Sequence, residues 1–248
     1  MSAYCHKKTF QLRYTDVDYK DELSLSALLS MAQEAACSSA DELGFGYDDL
    51  KCRNLGFLVV NSYGEIASQP KLGENVTVET WPLPPRRVFF ERHYRVRGED
   101  GRVIAALASR WCLVDLKTFS MCTPEVLGET HTNCPYNAEK SVSSPAWRIE
   151  KLGETGRLAY ETTVRNSHCD HYLHANNTRY ADFFLDAFSM DELSERVLKR
   201  FTITYHKQAK EGAKLQVLRK DEDGSSVLEV RCDGETLTQC FLDFEKRI

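Results

Sequence analysis

The sequence predicts an α+β protein made of two tandem units, each a strand, a long helix and an antiparallel meander of about four strands. Three observations lead there. First, a stretch from about 122 to 160 carries Pro124, Pro135 and Pro145 and the run Ser141-Val142-Ser143-Ser144, with few periodic apolar residues, so it reads as a connector. Second, the segments on either side share a weak ordered repeat: placing Asp18 on Asp170 puts Leu28 on Tyr180 and Ala35 on Ala187 without a gap. Third, both segments end in β-rich runs separated by turn signals, Asp100-Gly101 in one and Asp223-Gly224 and Asp233-Gly234 in the other. The expected division is a unit over 1–122, a linker over 123–159 and a second unit over 160–248.

In chain order, Arg13-Tyr14-Thr15-Asp16-Val17-Asp18 precedes a helical pattern over 23–43, with Leu25, Leu28, Leu29, Ala32 and Ala36 along one face. Strands follow over 57–66, 74–81, 88–97 and 103–115, rich in Val, Tyr, Phe, Trp and Thr. After the linker, Arg165-Asn166-Ser167-His168-Cys169-Asp170 precedes a helix predicted over 180–193, with Tyr180, Phe183, Phe184 and Ala187 aligned. Strands are then expected over 200–207, 214–218, 226–232 and 236–244. A sheet with one apolar face needs a cover, and one helix packed against it supplies one.

Composition narrows the function classes. Apolar residues make up 42% and charged residues 28%, too apolar for disorder, and no apolar run is long enough to span a bilayer. The N-terminal stretch has no long apolar segment behind Lys7 and Lys8, so a secretory signal is not expected and the chain reads as cytoplasmic. A net charge of −5 argues against general nucleic-acid binding, which needs a basic face. The nine cysteines are scattered without a CxxC pair, which suits reduced thiols rather than a zinc ribbon or a redox motif.

The densest polar cluster, His168-Cys169-Asp170-His171-Tyr172-Leu173-His174-Ala175-Asn176-Asn177, holds three of the seven histidines just before the second helix. Three readings compete. As a metal site it lacks a second cluster to complete a shell, and no metal is expected. As a structural element, Asn176 or Asn177 would cap the helix, worth about 0.5–2 kcal/mol. As a site of acyl transfer or hydrolysis, Asp170 and His174 flank a helix start whose free N–H groups could polarise a carbonyl oxygen, with the carboxylate attacking or activating water and the imidazole orienting it.

His174-Ala175-Asn176-Asn177-Thr178-Arg179-Tyr180 after Asp170 resembles the Asp…His-x-Asn-Asn-x-(Lys or Arg)-Tyr segment of acyl-acyl carrier protein (acyl-ACP) thioesterases. Glu79-Thr80-Trp81 after Gly73, and Ala108-Ser109-Arg110-Trp111, agree in the first half, and the resemblance runs from about residue 14 to residue 244. It implies a double hot-dog hydrolase without cofactor that releases fatty acid from the phosphopantetheine arm of the carrier protein. The family's aspartate falls on Asp170 and its histidine on His174. Its asparagine two residues after the aspartate falls on Tyr172, a departure, and its later Glu-Cys or Glu-Ala pair falls on Gln208-Ala209. No cysteine therefore stands where a thiolate nucleophile would, and Cys169, beside Asp170 on an extended segment, reads as packing. In the first half, Glu22 replaces His174 and Ser24-Leu25 replaces Asn176-Asn177, as in a duplicated unit whose site decayed; Asp16 and Asp18 there read as turn or cap residues.

The roles expected from this resemblance are Asp170 as nucleophile or general base, His174 as its positioner or proton carrier, Asn176 as brace and Gln208 as water-orienting group. Backbone amides near Asn177 would bind the oxyanion. An acyl tunnel would be lined by Leu28, Leu29, Ala32, Val59 and Trp81, since burying about ten methylenes is worth roughly 8 kcal/mol before ordering costs. Docking of an acidic carrier protein would fall to Arg86 and Arg87, within the arginine-rich run that includes Arg92, Arg95, Arg97 and Arg102, and to Arg165 and Lys207. An acyl-CoA thioesterase of the same fold and a non-catalytic acyl-binding module are the alternatives, and the sequence leaves open whether two chains associate into a homodimer.

Overall fold

The computed structural model describes residues 3–153 and 155–247. The first unit comprises β1 (His6–Gln11), α1 (Leu25–Glu42), α2 (Tyr47–Cys52), β2 (Leu55–Ile66), β3 (Asn75–Pro82), β4 (Phe89–Arg97) and β5 (Val103–Asp115). A short β6 (Met121–Cys122) and α3 (Glu129–Thr132) lead into the linker. The second unit comprises β7 (Arg157–Thr163), α4 (Arg179–Leu185), α5 (Met190–Ser194), β8 (Arg196–Tyr205), β9 (Lys214–Glu222), β10 (Ser225–Cys232) and β11 (Glu235–Lys246).

The strands form one sheet in the order β1-β3-β4-β5-β2-β8-β11-β10-β9-β7, with β6 on β5. The order is palindromic: each unit contributes the same succession, and the two meet where β2 pairs antiparallel with β8, Asn61 to Glu65 against Thr204 to Arg200. Strand side chains alternate, so one face of this sheet meets the helices and the other the linker. Val76, Val78, Val96, Leu107, Phe201 and Ile203 pack with Leu25, Leu28, Leu29 and Ala32 of α1 and with Tyr180, Phe183 and Phe184 of α4 in one core. α1 starts at Leu25, two residues after the helical pattern begins, because the Ser24 hydroxyl caps it by accepting from the Ala27 N–H.

The repeat holds at the level of individual hydrogen bonds. In the first unit the Asp18 N–H donates to the Glu22 carbonyl and the Ser24 N–H to the Asp16 carbonyl, both in the turn before α1. In the second, Asp170 donates to His174 and Asn176 to His168. The bridge Val17–Leu23 recurs as Cys169–Ala175, and the left-handed residue Asp21 (φ 57°) recurs as Leu173 (φ 63°).

The second helix departs from expectation. Instead of one helix over 180–193, α4 stops at Leu185 and α5 restarts at Met190. Two interactions break it. The buried Arg219 draws the Ala187 carbonyl to its Nη1 at 2.8 Å, out of the helical ladder. Ser189 and Glu192 form a reciprocal capping box that opens a new helix.

The linker crosses the outer face of the sheet. Asn137 donates its N–H to the Pro82 carbonyl, and the Trp81 indole donates to the Glu139 carbonyl at 2.8 Å. The Ser141 N–H donates to His93 Nδ1, so the other ring nitrogen carries the proton and donates to Glu91 at 3.1 Å. Further on, Thr202 and Asn61 donate to the carbonyls of Ala146 and Trp147 across the β2–β8 seam. The fully buried Glu229 accepts the Leu152 N–H at 2.8 Å, together with bonds from Arg231, Thr236 and Gln239.

Candidate active site

The cluster before α4 folds as a tight hairpin. The Leu173 N–H closes on the Asp170 carbonyl, and Leu173 takes up the left-handed backbone with its side chain exposed. Asp170 serves the turn with its side chain as well, Oδ1 accepting the Tyr172 N–H at 2.9 Å. Its Oδ2 accepts from Asn176 Nδ2 at 3.2 Å, so each carboxylate oxygen has one partner and one lone pair to spare. Asn176 then turns the chain into α4: its Oδ1 accepts both the N–H and the hydroxyl of Thr178. The Ala175 N–H donates to the Ala209 carbonyl, and His174 bridges Lys210, which fixes the hairpin against the loop after β8.

His174 pairs with Asp170 through the backbone, while its ring nitrogen Nδ1 is buried without a hydrogen-bond partner. The other two histidines turn elsewhere. His168 Nδ1 accepts the Arg165 N–H, and His171 stacks edge-on against Tyr47 with ring centroids 4.7 Å apart. Among the described residues no group of three or more His, Cys, Asp or Glu converges as metal ligands would. Tyr172 leans on Tyr47 of α2 at 5.7 Å, and burial, with the charges of Tyr47 and Asp170 beside it, pushes its hydroxyl up to about 12. The first unit thus completes the wall around the second unit's hairpin. Asn177 carries an N–H for which no acceptor is found among the described residues, whereas those of Thr178 and Arg179 are taken by Asn176. With only seven residues, α4 contributes a weak dipole, and this free amide is the stronger feature.

Asn177 also lines a narrow cleft of about 20 Å³ that runs into the first unit between α1 and the sheet. Leu29, Ala32 and Gln33 line it from α1, and Val59, Ser62, Tyr94, Leu107, Ser109 and Trp111 from the strands. Of the residues expected to line an acyl tunnel, Leu29, Ala32 and Val59 border this cleft, while Leu28 is buried in the core and is not among its lining residues. Trp81 lies on the opposite face, beneath the linker, because its register with His93 directs both side chains outward. Gln208, expected as a water-orienting group, falls in the loop past the end of β8, and its side chain is exposed.

The arginine-rich run is largely neutralised. Arg95 and Arg97 pair with Glu79 and Arg102 with Glu74, and Arg92 turns inward to the hydroxyls of Ser39 and Thr80. Arg86 and Arg87 are exposed in the turn before β4, Arg165 is exposed before the hairpin, and Lys207 pairs with Glu235. In the first unit the matching hairpin is closed off by charge: Lys20 pairs with both Asp18 and Glu22, and Arg247 also holds Glu22. Asp16 there is buried and bonded to Arg13, as a cap.

Sequence reasoning missed Gln33 and Tyr47. The signal for Gln33 was present, since it follows Leu29 by one helical turn and interrupts the apolar face of α1. Tyr47 sits on a six-residue helix with no periodicity to announce it.

Comparison with known proteins agrees with this architecture. Residues 3–129 match the acyl-ACP thioesterase N-terminal domain and residues 153–246 the C-terminal domain. A chloroplastic dodecanoyl-acyl-carrier-protein hydrolase of Cinnamomum camphora is 23% identical over 244 residues, and that of Umbellularia californica 22% over 238. These alignments cover 92% of this chain, which spans 62% of the length of either relative. An acyl-ACP thioesterase from Bacteroides thetaiotaomicron superposes with a TM-score of 0.89 at 22% identity, covering 97% of this chain and 98% of that one. The 12:0-ACP thioesterase of Umbellularia californica gives 0.88 at 21%, covering 100% and 99%. The fold is therefore a double hot-dog, and with both domains of one family matched in order along most of its length, the chain belongs to the acyl-ACP thioesterases.

Proposed function

We propose that this protein hydrolyses the thioester of fatty acyl-ACP, releasing free fatty acid and the carrier's thiol. One observation carries the reading: Asn176 holds the Asp170 carboxylate, and the next residue, Asn177, lines the cleft. A thioester whose acyl chain lies in that cleft would present its carbonyl at the hairpin. Asp170 supplies the carboxylate that attacks the carbonyl or takes a proton from the attacking water. His174, with a ring nitrogen free of partners, carries the proton or orients the reacting group, and the free Asn177 N–H receives the developing oxyanion. Asn176 braces the carboxylate, the Tyr172 hydroxyl stays protonated at neutral pH beside it, and Gln208 orients water from the adjoining loop. Arg86, Arg87, Arg165 and Lys207 are assigned to docking the acidic carrier protein. All nine cysteines are free thiols, which fits a reducing compartment such as the cytoplasm.

The test is free-thiol release from acyl-ACPs of graded chain length, with the matching acyl-CoAs alongside. Faster release from the carrier protein supports the reading; faster release from CoA makes the soluble coenzyme the substrate carrier. Saturable acyl binding without release would make the chain a binding module.

A further inference from the structure

The cleft contains a polar atom that a hydrocarbon chain would leave unsatisfied. Gln33 lines the cleft along with Ala32 and the second unit's Asn177, and its Oε1 is buried with no hydrogen-bond partner among the described residues. Ser109, Tyr94 and Tyr63, polar neighbours in the lining, are already engaged. Ser109 Oγ accepts from the Trp111 indole at 2.7 Å and bonds the Tyr94 hydroxyl at 3.0 Å. The Tyr63 hydroxyl donates to Glu65. Gln33 therefore leaves a buried acceptor open in this wall, at a position where Leu or Met would continue the apolar face of α1.

We propose that the cleft takes an acyl chain bearing a hydroxyl group and that Gln33 hydrogen-bonds it. The proposal rests on the reading of the cleft as the acyl site and names the substrate class of that site. A hydroxyl both donates and accepts, so it satisfies the amide whichever of its two ends faces the cleft. An unsubstituted chain would seal the amide away from water without a partner. The penalty for such a buried group corresponds to a discrimination of roughly 5- to 150-fold in kcat/KM. A site built to hydrogen-bond a substrate hydroxyl rejects the analogue that lacks it, whereas a purely apolar pocket discriminates weakly against an added hydroxyl. Gln33 is thus a specificity residue and takes no part in bond cleavage.

The experiment uses the full chain with carrier protein loaded by acyl groups of one length, unsubstituted, 3-hydroxylated or hydroxylated near mid-chain. At least one hydroxylated chain should show kcat/KM about 5-fold or more above the unsubstituted one. Gln33→Leu should erase the preference by raising the rate on the plain chain and lowering it on the hydroxylated one. Gln33→Met serves in its place should circular dichroism show that the leucine variant has not folded. Equal rates on all chains, as when a trapped water satisfies Gln33, would overturn the inference while leaving acyl-ACP hydrolysis standing. So would a preference that survives both substitutions. Release from none of the chains would sink the inference together with the reading beneath it.

Discussion

Asp170 holds its turn together and offers the carboxylate on which the proposed chemistry depends, and these two functions separate by substitution. Asparagine keeps an acceptor for the Tyr172 N–H but loses the bond from Asn176. Asp170→Asn should therefore cost about 1 kcal/mol of stability while lowering turnover by about 10²–10⁴, read by urea unfolding and thiol release on the same preparation. A variant as active as the parent would remove Asp170 from the mechanism. Other carboxylates show their environment through acid sensitivity. Hydrogen bonds from Arg102 hold Glu74 down to about 2, and those from Arg219 hold Glu192 there as well. Both bind protons more weakly in the folded state than in the unfolded chain. Their contribution is thus complete above about pH 4.5 and is lost as the pH falls toward 2. Melting midpoints measured from pH 5 down to pH 2 should fall, and Glu74→Gln should flatten that slope.

The hairpin and the broken helix carry the next level of organisation. Leu173 occupies left-handed backbone with an exposed side chain, so nothing in packing repays its conformation. Leu173→Gly should raise stability by up to about 1 kcal/mol, whereas the β-branched Leu173→Ile should lower it by a similar amount. The opposite ranking in thermal melts would show that the turn is held by something other than backbone preference. Much at this level was legible in the residues. The periodicity of Leu25, Leu28, Leu29 and Ala32 marks α1, Asp-Gly pairs mark the hairpins, and the alignment of Asp18 with Asp170 pairs two turns that share their backbone hydrogen bonds. What escaped were effects set by distant partners. The bond from Arg219 to the Ala187 carbonyl ends a helix that local periodicity would continue, although Ser189 and Glu192 did advertise the restart. Trp81 looked like a tunnel residue because alternation gives its period but not its phase: which face the helix covers is fixed only once β3 is paired with β4. Gln208 lies in the loop after β8, which meets the hairpin at Ala209 and Lys210.

At the scale of the molecule, the β2–β8 seam and the linker tie the two units into one sheet. The linker is bonded in turn to β3 and β4, to the seam and to β10 and β11. Such continuity predicts a single cooperative transition: urea curves followed by the fluorescence of Trp81, Trp111 and Trp147 and by far-ultraviolet circular dichroism should coincide. Two separated midpoints would mean that the units unfold independently despite the strap. Glu229 is the fastener whose removal should be felt most, because it is fully buried and receives bonds from linker and strands together. Glu229→Ala should cost about 3–5 kcal/mol, since Arg231 would then lose its counter-charge.

The turn at residues 18–22 shares the hydrogen bonds and the left-handed kink of the turn at 170–174 but carries different side chains. Backbone shape and side-chain chemistry thus vary independently between the two units. Lys20 and Arg247 clamp Asp18 and Glu22, so the first turn is tied down by charge where the second leaves its carboxylate with lone pairs to offer.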